Sequence, residues 1–297
     1  MTTDDNLRSA GWMTLGMAGY VTNDALIKLA AEDLPLFQAI FLRGCWICVV
    51  LVAANLRQGS LRSIHRHVSR PITIRLACET LATILYLSAL TRLPLAGLTA
   101  VLQIVPLVVV FVAARLLREP VSLQRVSAVL LGFVGVLLVV KPGGSSFSVW
   151  YLVGFATVVL IVIRELATRR IDPTAPTQVI ALQTAVSITA MGLVLSVVDG
   201  WEALTVRTAL LLIGAGIFLT IGYVASVATV RIGELSFSAP FRYTVIVFSI
   251  ILQIVVFGDI PDALTFVGSA IVAGAGLWAF RAGQRSRPGA TVERERA

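Results

Sequence analysis

Apolar runs long enough to cross a membrane recur along the whole chain. A membrane-spanning helix needs about 20 mostly apolar residues, and by that measure the sequence predicts ten segments separated by short polar or basic turns. Segments 1 to 10 are residues 10–30, 35–56, 71–91, 95–116, 125–140, 148–168, 177–198, 208–230, 235–257 and 263–282. We therefore expect a single membrane-embedded bundle without a separate soluble domain.

The ten segments form two sets of five that resemble each other. A shift of 139 positions lays Arg92 on Arg231, Thr99 on Ser238 and Gln103 on Arg242. Because each set has an odd number of spans, the second set must enter the membrane from the opposite side. Inverted repeats of this kind are typical of secondary transporters, in which the two halves move around a site near the bilayer midplane.

These patterns predict an all-α integral membrane protein whose ten transmembrane helices form two inverted five-helix repeats. The first repeat is predicted over residues 10–140 and the second over residues 141–282. Short tails at residues 1–9 and 283–297 complete the predicted organisation.

Composition agrees with a membrane protein. Hydrophobic residues make up 57% of the chain and charged residues only 13%, whereas soluble domains are roughly one-quarter charged. The net charge of +8 could indicate a nucleic-acid partner, but the basic residues stand at the ends of apolar runs. That placement follows the positive-inside rule instead, so we expect membrane lipid around the protein and no nucleic acid.

The basic residues also predict an orientation. Eighteen of them fall on the side that holds the N-terminus and three on the opposite side. Since basic loops stay in the cytoplasm, both termini are predicted to be cytoplasmic in a bacterial inner membrane.

The sequence gives little support to redox, metal-binding or enzymatic chemistry. Cys45, Cys48 and Cys78 lie inside apolar segments, where we interpret them as small apolar side chains rather than a redox pair. His65 and His67 stand in a basic loop without metal-ligand neighbours, so no metal or cofactor is predicted. The lack of catalytic groups within the spans argues against an intramembrane enzyme, and the repeat within one chain argues against a channel.

We assign five ionisable side chains to the membrane interior: Asp24, Lys28, Arg43, Glu79 and Arg242. Burying such a group costs about 2.5–3.5 kcal/mol on insertion scales, so each should face a cavity or a partner. Asp24 and Lys28 share a helical face and can neutralise each other, with a role in substrate access as the alternative. Arg43 is either a structural clamp or a contact for a substrate carboxylate. Glu79 is either paired or cavity-lining, or a proton carrier.

Polar side chains on several segments predict a central cavity that suits a zwitterionic or aromatic solute. The predicted lining residues are Tyr20, Asn23, Glu79, Thr83, Tyr86, Thr99, Gln103, Tyr223, Ser238, Arg242 and Tyr243. Asp24, Lys28, Arg43, Pro106 and Pro240 are expected to have structural or gating roles. Pro106 removes a backbone hydrogen bond in mid-membrane, which requires neighbours or water to satisfy the freed carbonyl.

Small residues four apart occur in segment 5, at Ala128 and Gly132, and in segment 10, at Ala270 and Gly274. Such spacing allows close helix packing. The packing can be within one chain or across a dimer; we expect a monomer.

Several short motifs together resemble one known family. They are Pro35 and Arg43 at the start of segment 2, the turn Leu90-Thr91-Arg92-Leu93-Pro94-Leu95-Ala96, the series Thr99-x-x-x-Gln103-x-x-Pro106, and the turn Arg118-Glu119-Pro120. In this order they resemble the drug/metabolite transporter superfamily, in its ten-helix group of two EamA-type repeats, over residues 10–282. The second copy departs from the pattern, with Gly258-Asp259-Ile260-Pro261 in place of a Glu-Pro turn and Val245 in place of Pro106.

The resemblance implies a basket of helices with a cavity walled by segments 1, 3, 4, 6, 8 and 9, and with segments 5 and 10 at the periphery. Within the group, the sequence looks most like the YddG-type exporters of aromatic amino acids and related metabolites. That likeness implies export of amino acids from a bacterium. The alternative within the same superfamily is an exporter of cationic drugs or other metabolites.

Overall fold

The computed structural model describes residues 3–58, 69–116, 123–141, 147–168, 170–172, 175, 177–232 and 238–285. Within these residues the regular structure is entirely helical. The helices are α1 (Thr3–Asp33), α2 (Leu36–Gln58), α3 (Arg70–Leu90), α4 (Leu95–Leu102), α5 (Val105–Leu116), α6 (Leu123–Val140), α7 (Trp150–Thr168), α8 (Thr177–Asp199), α9 (Val206–Ile232), a 3-10 helix (Ala239–Tyr243), α10 (Thr244–Phe257) and α11 (Ala263–Arg285). The turn Arg118-Glu119-Pro120, the loop with His65 and His67, and residues 286–297 of the predicted tail lie outside the described residues.

The helices have the length and composition that a membrane requires. Among the described residues, six spans are long and apolar enough to cross a bilayer, and shorter apolar helices cover Leu95–Val109, Val126–Val140 and Ala263–Trp278. The all-α membrane fold predicted from the sequence is therefore confirmed. The ends differ in detail, because α1 already begins at Thr3 and α11 continues to Arg285.

Helix packing follows the duplication. α1 packs against α9 and α3 packs against α7, and these two contacts become equivalent when the repeats are exchanged. α2 packs against α8, and α6 against α11, so each of these helices contacts its own counterpart in the other repeat. This is the contact pattern of two repeats related by a pseudo-two-fold axis.

Segments 4 and 9 were each predicted as one continuous helix, and both predictions are wrong in the same place. Segment 4 is divided into α4 and α5, and the described part of segment 9 is divided into the 3-10 helix and α10. Thr244, where α10 begins, lies 139 positions after Val105, where α5 begins, and this is the offset of the duplication. Pro106 is thus the second residue of α5, a position where a helix needs no N–H donor, and it leaves no carbonyl to be satisfied in mid-helix.

The two faces of the bundle can be defined by α1: the N-terminal face is where it begins and the far face is where it ends. The buried core gathers near the far face, where the α3–α4 turn meets the end of α1 and the start of α2. Leu90, Leu93, Leu95, Ile27 and Ile40 are all at most 2% exposed there. The cavity described next begins near the middle of the bundle.

Candidate functional site

A cavity of about 170 Å³ lies between the two repeats. Its polar lining includes Asn23 and Asp24 of α1, Arg43 of α2, Glu79, Thr83 and Tyr86 of α3, Thr184 and Thr189 of α8, and Tyr223 of α9. Its apolar lining includes Ile47 and Leu51 of α2, Ile188 of α8 and Leu219 of α9. The cavity extends from the middle of the bundle towards the N-terminal face, since Ala181 near the start of α8 also lines it.

The cavity walls differ from those implied by the resemblance. Helices α1, α3 and α9 line it as expected, but the remaining lining comes from α2 and α8 rather than from α4, α7 or α10. The hydroxyls of Thr184 and Thr189 on α8 were missed in the sequence. Each donates a hydrogen bond to the carbonyl four residues earlier, which is ordinary for a threonine in a membrane helix, so no pattern singled them out.

The structure places the predicted lining residues in two groups. Asn23, Glu79, Thr83, Tyr86 and Tyr223 line the cavity, as do two residues predicted to be structural, Asp24 and Arg43. Tyr20, Thr99, Gln103, Ser238, Arg242 and Tyr243 are absent from the described lining. Both repeats thus contribute to the site, but the polar residues predicted on segments 4 and 9 do not line it.

The residues outside the lining have identifiable positions. Tyr20 lies between α1 and α9, where its hydroxyl is 3.0 Å from Ser226 Oγ and its ring contacts Tyr223 edge-on. Thr99, Gln103 and Ser238 are buried, and Gln103 Nε2 donates to the Arg242 carbonyl at 3.4 Å. Pro240 lies within the 3-10 helix, the Tyr243 ring packs against Gly276, and the Arg242 side chain is exposed.

Arg43 and Asp24 belong to one hydrogen-bonded network. Arg43 Nη1 donates to Asn23 Oδ1 at 3.0 Å, and Asn23 Nδ2 donates to Asp24 Oδ1 at 2.9 Å. The Tyr86 hydroxyl donates to Asp24 Oδ2 at 2.6 Å. The Asn23 amide thus stands between the guanidinium and the carboxylate, and it links them without a direct ion pair.

The predicted pairing of Asp24 with Lys28 is wrong. Lys28 lies one helical turn nearer the far face, and its Nζ donates to the carbonyl of Leu93 and lies 5.3 Å from the centre of the Phe257 ring. A lysine stem readily carries its charge towards the interface in this way. Asp24 therefore binds Tyr86 and Lys28 binds Leu93, instead of the two side chains pairing with each other.

Glu79 is paired with Arg164 of α7, which is one of the alternatives that the sequence left open. Arg164 Nη1 lies 2.9 Å and 2.8 Å from the two Glu79 carboxylate oxygens, and Arg164 Nη2 lies 2.6 Å from Glu165 Oε1. In the sequence, Arg164 stood out only as a basic residue at the end of segment 6. The signal that could have identified it was a mid-membrane carboxylate in need of a cation on a helix of the other repeat.

The far face is closed by polar contacts between the two repeats. The Gln38 side chain donates to the Glu202 carbonyl and accepts from the Glu202 N–H, both at 2.9 Å. Arg207 at the start of α9 forms ion pairs with Asp33 and Glu32 at the end of α1. The Ala96 N–H donates to Gln253 Oε1 at 2.7 Å. These contacts separate the cavity from the far face.

A further contact at this face gives a pH-dependent prediction. Hydrogen bonds from Lys141 and Thr265 lower the pKa of Asp262 from 3.8 to about 2. A carboxyl group whose pKa is depressed by folding stabilises the protein above its unfolded pKa, and the stabilisation is lost as the pH falls towards the folded pKa. Because the Asp262 side chain is 51% exposed, we expect Asp262→Asn to cost less than about 1 kcal/mol at pH 7. The difference from the unsubstituted protein in thermal unfolding should shrink between pH 4 and pH 2; a constant difference would contradict the pairing.

The described residues hold no group of three or more His, Cys, Asp or Glu side chains that could bind a metal ion. Cys45, Cys48 and Cys78 carry free thiols, and Cys48 Sγ lies 3.6 Å from Thr189 Oγ1. The polar side chains that line the cavity are thus hydrogen-bonding and charged groups, which can bind a solute non-covalently.

Comparison with known proteins agrees with this arrangement. Residues 7–141 match the EamA-like transporter family. The pseudopaline exporter CntI of Pseudomonas aeruginosa is 26% identical, with 84% of this chain and 87% of the relative covered. The riboflavin transporter of Vibrio cholerae is 24% identical, with 90% of each chain covered. The S-adenosylmethionine uptake transporter of Rickettsia bellii is 22% identical, with 90% of this chain and 91% of the relative covered.

The fold agrees as well. One crystal structure superposes with a TM-score of 0.68 at 21% sequence identity, covering 91% of this chain and 96% of that chain. The relatives named above are an exporter, a riboflavin transporter and an uptake transporter. None of them is named as an aromatic amino-acid exporter, so they do not support the narrower likeness to the YddG-type exporters. The family match covers residues 7–141, slightly less than half of the chain, and proteins named as transporters align with most of its length, so the chain is similar to the EamA-like transporter family.

Proposed function

We propose that the protein is a secondary transporter that exports amino acids, aromatic ones among them, across the bacterial inner membrane by alternating access. The single observation that carries this proposal is the cavity between the repeats, which combines opposite charges with an apolar wall. Asp24 and Arg43 supply one charge of each sign, and the Glu79 carboxylate is matched by Arg164. A zwitterion with an apolar side chain is the solute that such a lining suits.

The proposed direction of transport, export, is consistent with the predicted orientation. The basic residues predict that the N-terminal face is cytoplasmic, and the cavity extends towards that face while polar contacts close the far face. An exporter must load its substrate from the cytoplasm, which is the side that this conformation favours.

Alternating access requires the two repeats, residues 10–140 and 141–282, to rock about the site. The matching helix breaks before Val105 and Thr244 are positioned to absorb this motion. They contact each other through the hydrogen bond from Gln103 to the Arg242 carbonyl, near the pseudo-two-fold axis. The contacts of Gln38 and Arg207 at the far face must break when the cavity opens there.

The proposal is tested in proteoliposomes loaded with radiolabelled L-phenylalanine or L-tryptophan, with and without an imposed pH gradient. We expect saturable efflux that other aromatic amino acids inhibit, and faster efflux under the gradient would indicate coupling to protons. Protein-free liposomes provide the background. If no amino acid crosses but riboflavin or a cationic drug does, the amino-acid assignment is wrong.

A cavity-blocking variant links the flux to this site. Leu219 lines the cavity, whereas Ile217 lies on another side of α9 and is 43% exposed. We expect Leu219→Trp to slow transport roughly tenfold or more, because the indole would fill much of the space that the substrate occupies. Ile217→Trp, the matched control on the same helix, should transport at close to the unsubstituted rate. Equal rates for the two variants would place the substrate path elsewhere.

A further inference from the structure

Arg43 is a buried arginine whose hydrogen-bonding capacity the protein does not fill. Its side chain is part of the cavity lining, the residue is 6% exposed, and its Nε is buried without a hydrogen-bond partner among the described residues. Arg43 forms no ion pair with any carboxylate in the described part of the chain. An unsatisfied buried donor costs about 1–3 kcal/mol, so this position requires an explanation.

The nearby acidic side chains are already engaged. Both oxygens of Asp24 accept hydrogen bonds, from Asn23 and from Tyr86. Both oxygens of Glu79 lie within hydrogen-bonding distance of Arg164. Because Asn23 separates Asp24 from the guanidinium, Asp24 compensates the charge of Arg43 without occupying its donors.

The shape of the guanidinium indicates what the missing partner is. Its planar array of N–H donors matches the two oxygens of a carboxylate, and such pairs are among the strongest hydrogen-bonded contacts in proteins. Part of the remaining cavity wall is apolar or aromatic, at Ile47, Ile188, Leu219 and Tyr223. A ligand that satisfies both parts has a carboxylate at one end and an apolar or aromatic body at the other.

We propose that Arg43 binds the carboxylate of the transported solute, and that the carboxylate, rather than the amino group, is the feature that the cavity requires. This inference rests on the proposed function, because it concerns the same cavity. It gives the substrate class as amphiphilic carboxylates and assigns recognition of the carboxylate to Arg43.

The first test compares three probes on the purified, unsubstituted protein by thermal unfolding. L-Phenylalanine carries both groups, 3-phenylpropionate lacks the amino group, and 2-phenylethylamine lacks the carboxylate. We expect the first two to raise the unfolding temperature and the amine to leave it unchanged at the same concentration. Stabilisation by the amine equal to that by 3-phenylpropionate, or no stabilisation by either carboxylate, would overturn the proposal.

The second test uses variants in the same binding measurement. Arg43→Gln should weaken binding of 3-phenylpropionate roughly 10- to 100-fold, as expected for the loss of a hydrogen bond to a charged group. Arg43→Lys keeps the charge without the planar array and should retain part of the affinity. Arg75→Gln is the matched control: the Arg75 Nε is also buried without a partner and its guanidinium contacts Thr184, but Arg75 is not part of the cavity lining. Unchanged affinity in a folded Arg43→Gln protein would refute the assignment.

The outcomes separate this inference from the proposed function. If 3-phenylpropionate binds through Arg43 but no amino acid crosses the membrane, amino-acid export is wrong and the carboxylate site stands. If L-phenylalanine crosses while 2-phenylethylamine competes as well as 3-phenylpropionate, export stands and the role of Arg43 is wrong. Should Arg43→Gln fail to fold, the three-probe comparison on the unsubstituted protein still decides.

Discussion

Replacing Arg164 with glutamine is expected to leave little folded protein in the membrane. The Arg164 and Glu79 side chains are only 21% and 17% exposed, and the pair joins α7 of the second repeat to α3 of the first. Removing one partner of a buried ion pair typically costs about 3–5 kcal/mol, because the other charge remains buried without compensation. Arg164→Gln leaves the Glu79 carboxylate in that condition and also removes the partner of Glu165, whose side chain is 36% exposed. The yield of monodisperse protein after detergent extraction, and its unfolding temperature, measure the effect.

The converse substitution should be milder. Glu79→Gln leaves Arg164 in contact with Glu165 at 2.6 Å, so one charge is still matched. The double variant Glu79→Gln/Arg164→Gln should recover part of the stability lost in Arg164→Gln, since two amides can hydrogen-bond without either carrying a charge. If the double variant is as unstable as the sum of the two single losses, Glu79 and Arg164 are not energetically coupled and the ion pair is not what stabilises this contact.

Two features could be predicted from the sequence: charged side chains inside the membrane, and the duplication of the chain. Glu79 and Arg43 were recognised as costly inside a membrane, and the structure places both in the cavity lining. The offset of 139 positions, read from a few identities, reappears in the starts of α5 and α10. Both inferences rest on local properties, namely the cost of burying one side chain and the similarity of two short segments, and a single sequence contains these directly.

The positions of the polar stripes could not be predicted in the same way. Helical periodicity shows that Thr99 and Gln103 share a face with each other, but it does not give the rotation of that face about the pseudo-two-fold axis. In the structure Gln103 contacts the backbone of Arg242, its own equivalent in the second repeat. A polar stripe in a duplicated membrane protein can thus be satisfied by its symmetry-related copy, and matching stripes alone do not indicate a cavity.

Local pairing rules failed for a related reason. The spacing of Asp24 and Lys28 allows an ion pair within α1, yet Asp24 accepts from Tyr86 of α3, and Lys28 donates to the Leu93 carbonyl just after that helix. An exposed pair of this kind is worth only a few tenths of a kcal/mol, whereas an unsatisfied carboxylate or carbonyl inside the bundle costs more. The tertiary contacts therefore determine the side-chain positions.

The small residues at the crossing of α6 and α11 also differ from those predicted, and this difference carries the second large prediction. Within one chain, Gly135 and Gly268 make the close contact, whereas Gly132 meets the Leu107 side chain and a methyl group added at Gly274 would have no described atom within 4 Å. A methyl group at Gly268 would lie 2.5 Å from the Gly135 carbonyl oxygen and 2.8 Å from Val139 Cγ2. A backbone carbonyl cannot rotate away, so the two helices would have to separate.

Gly268→Ala is therefore expected to destabilise the protein by about 1–3 kcal/mol, the usual cost of overpacking. Gly274→Ala, on the same helix, is the matched control and should be neutral or stabilising by up to about 1 kcal/mol, because alanine favours the helix and the added methyl meets nothing. Thermal unfolding of the two variants in the same detergent gives the comparison. Equal unfolding temperatures would show that α6 and α11 do not cross at Gly268. A loss confined to Gly268→Ala would support the contact between the repeats that the duplication implies, with each peripheral helix packed against its own counterpart.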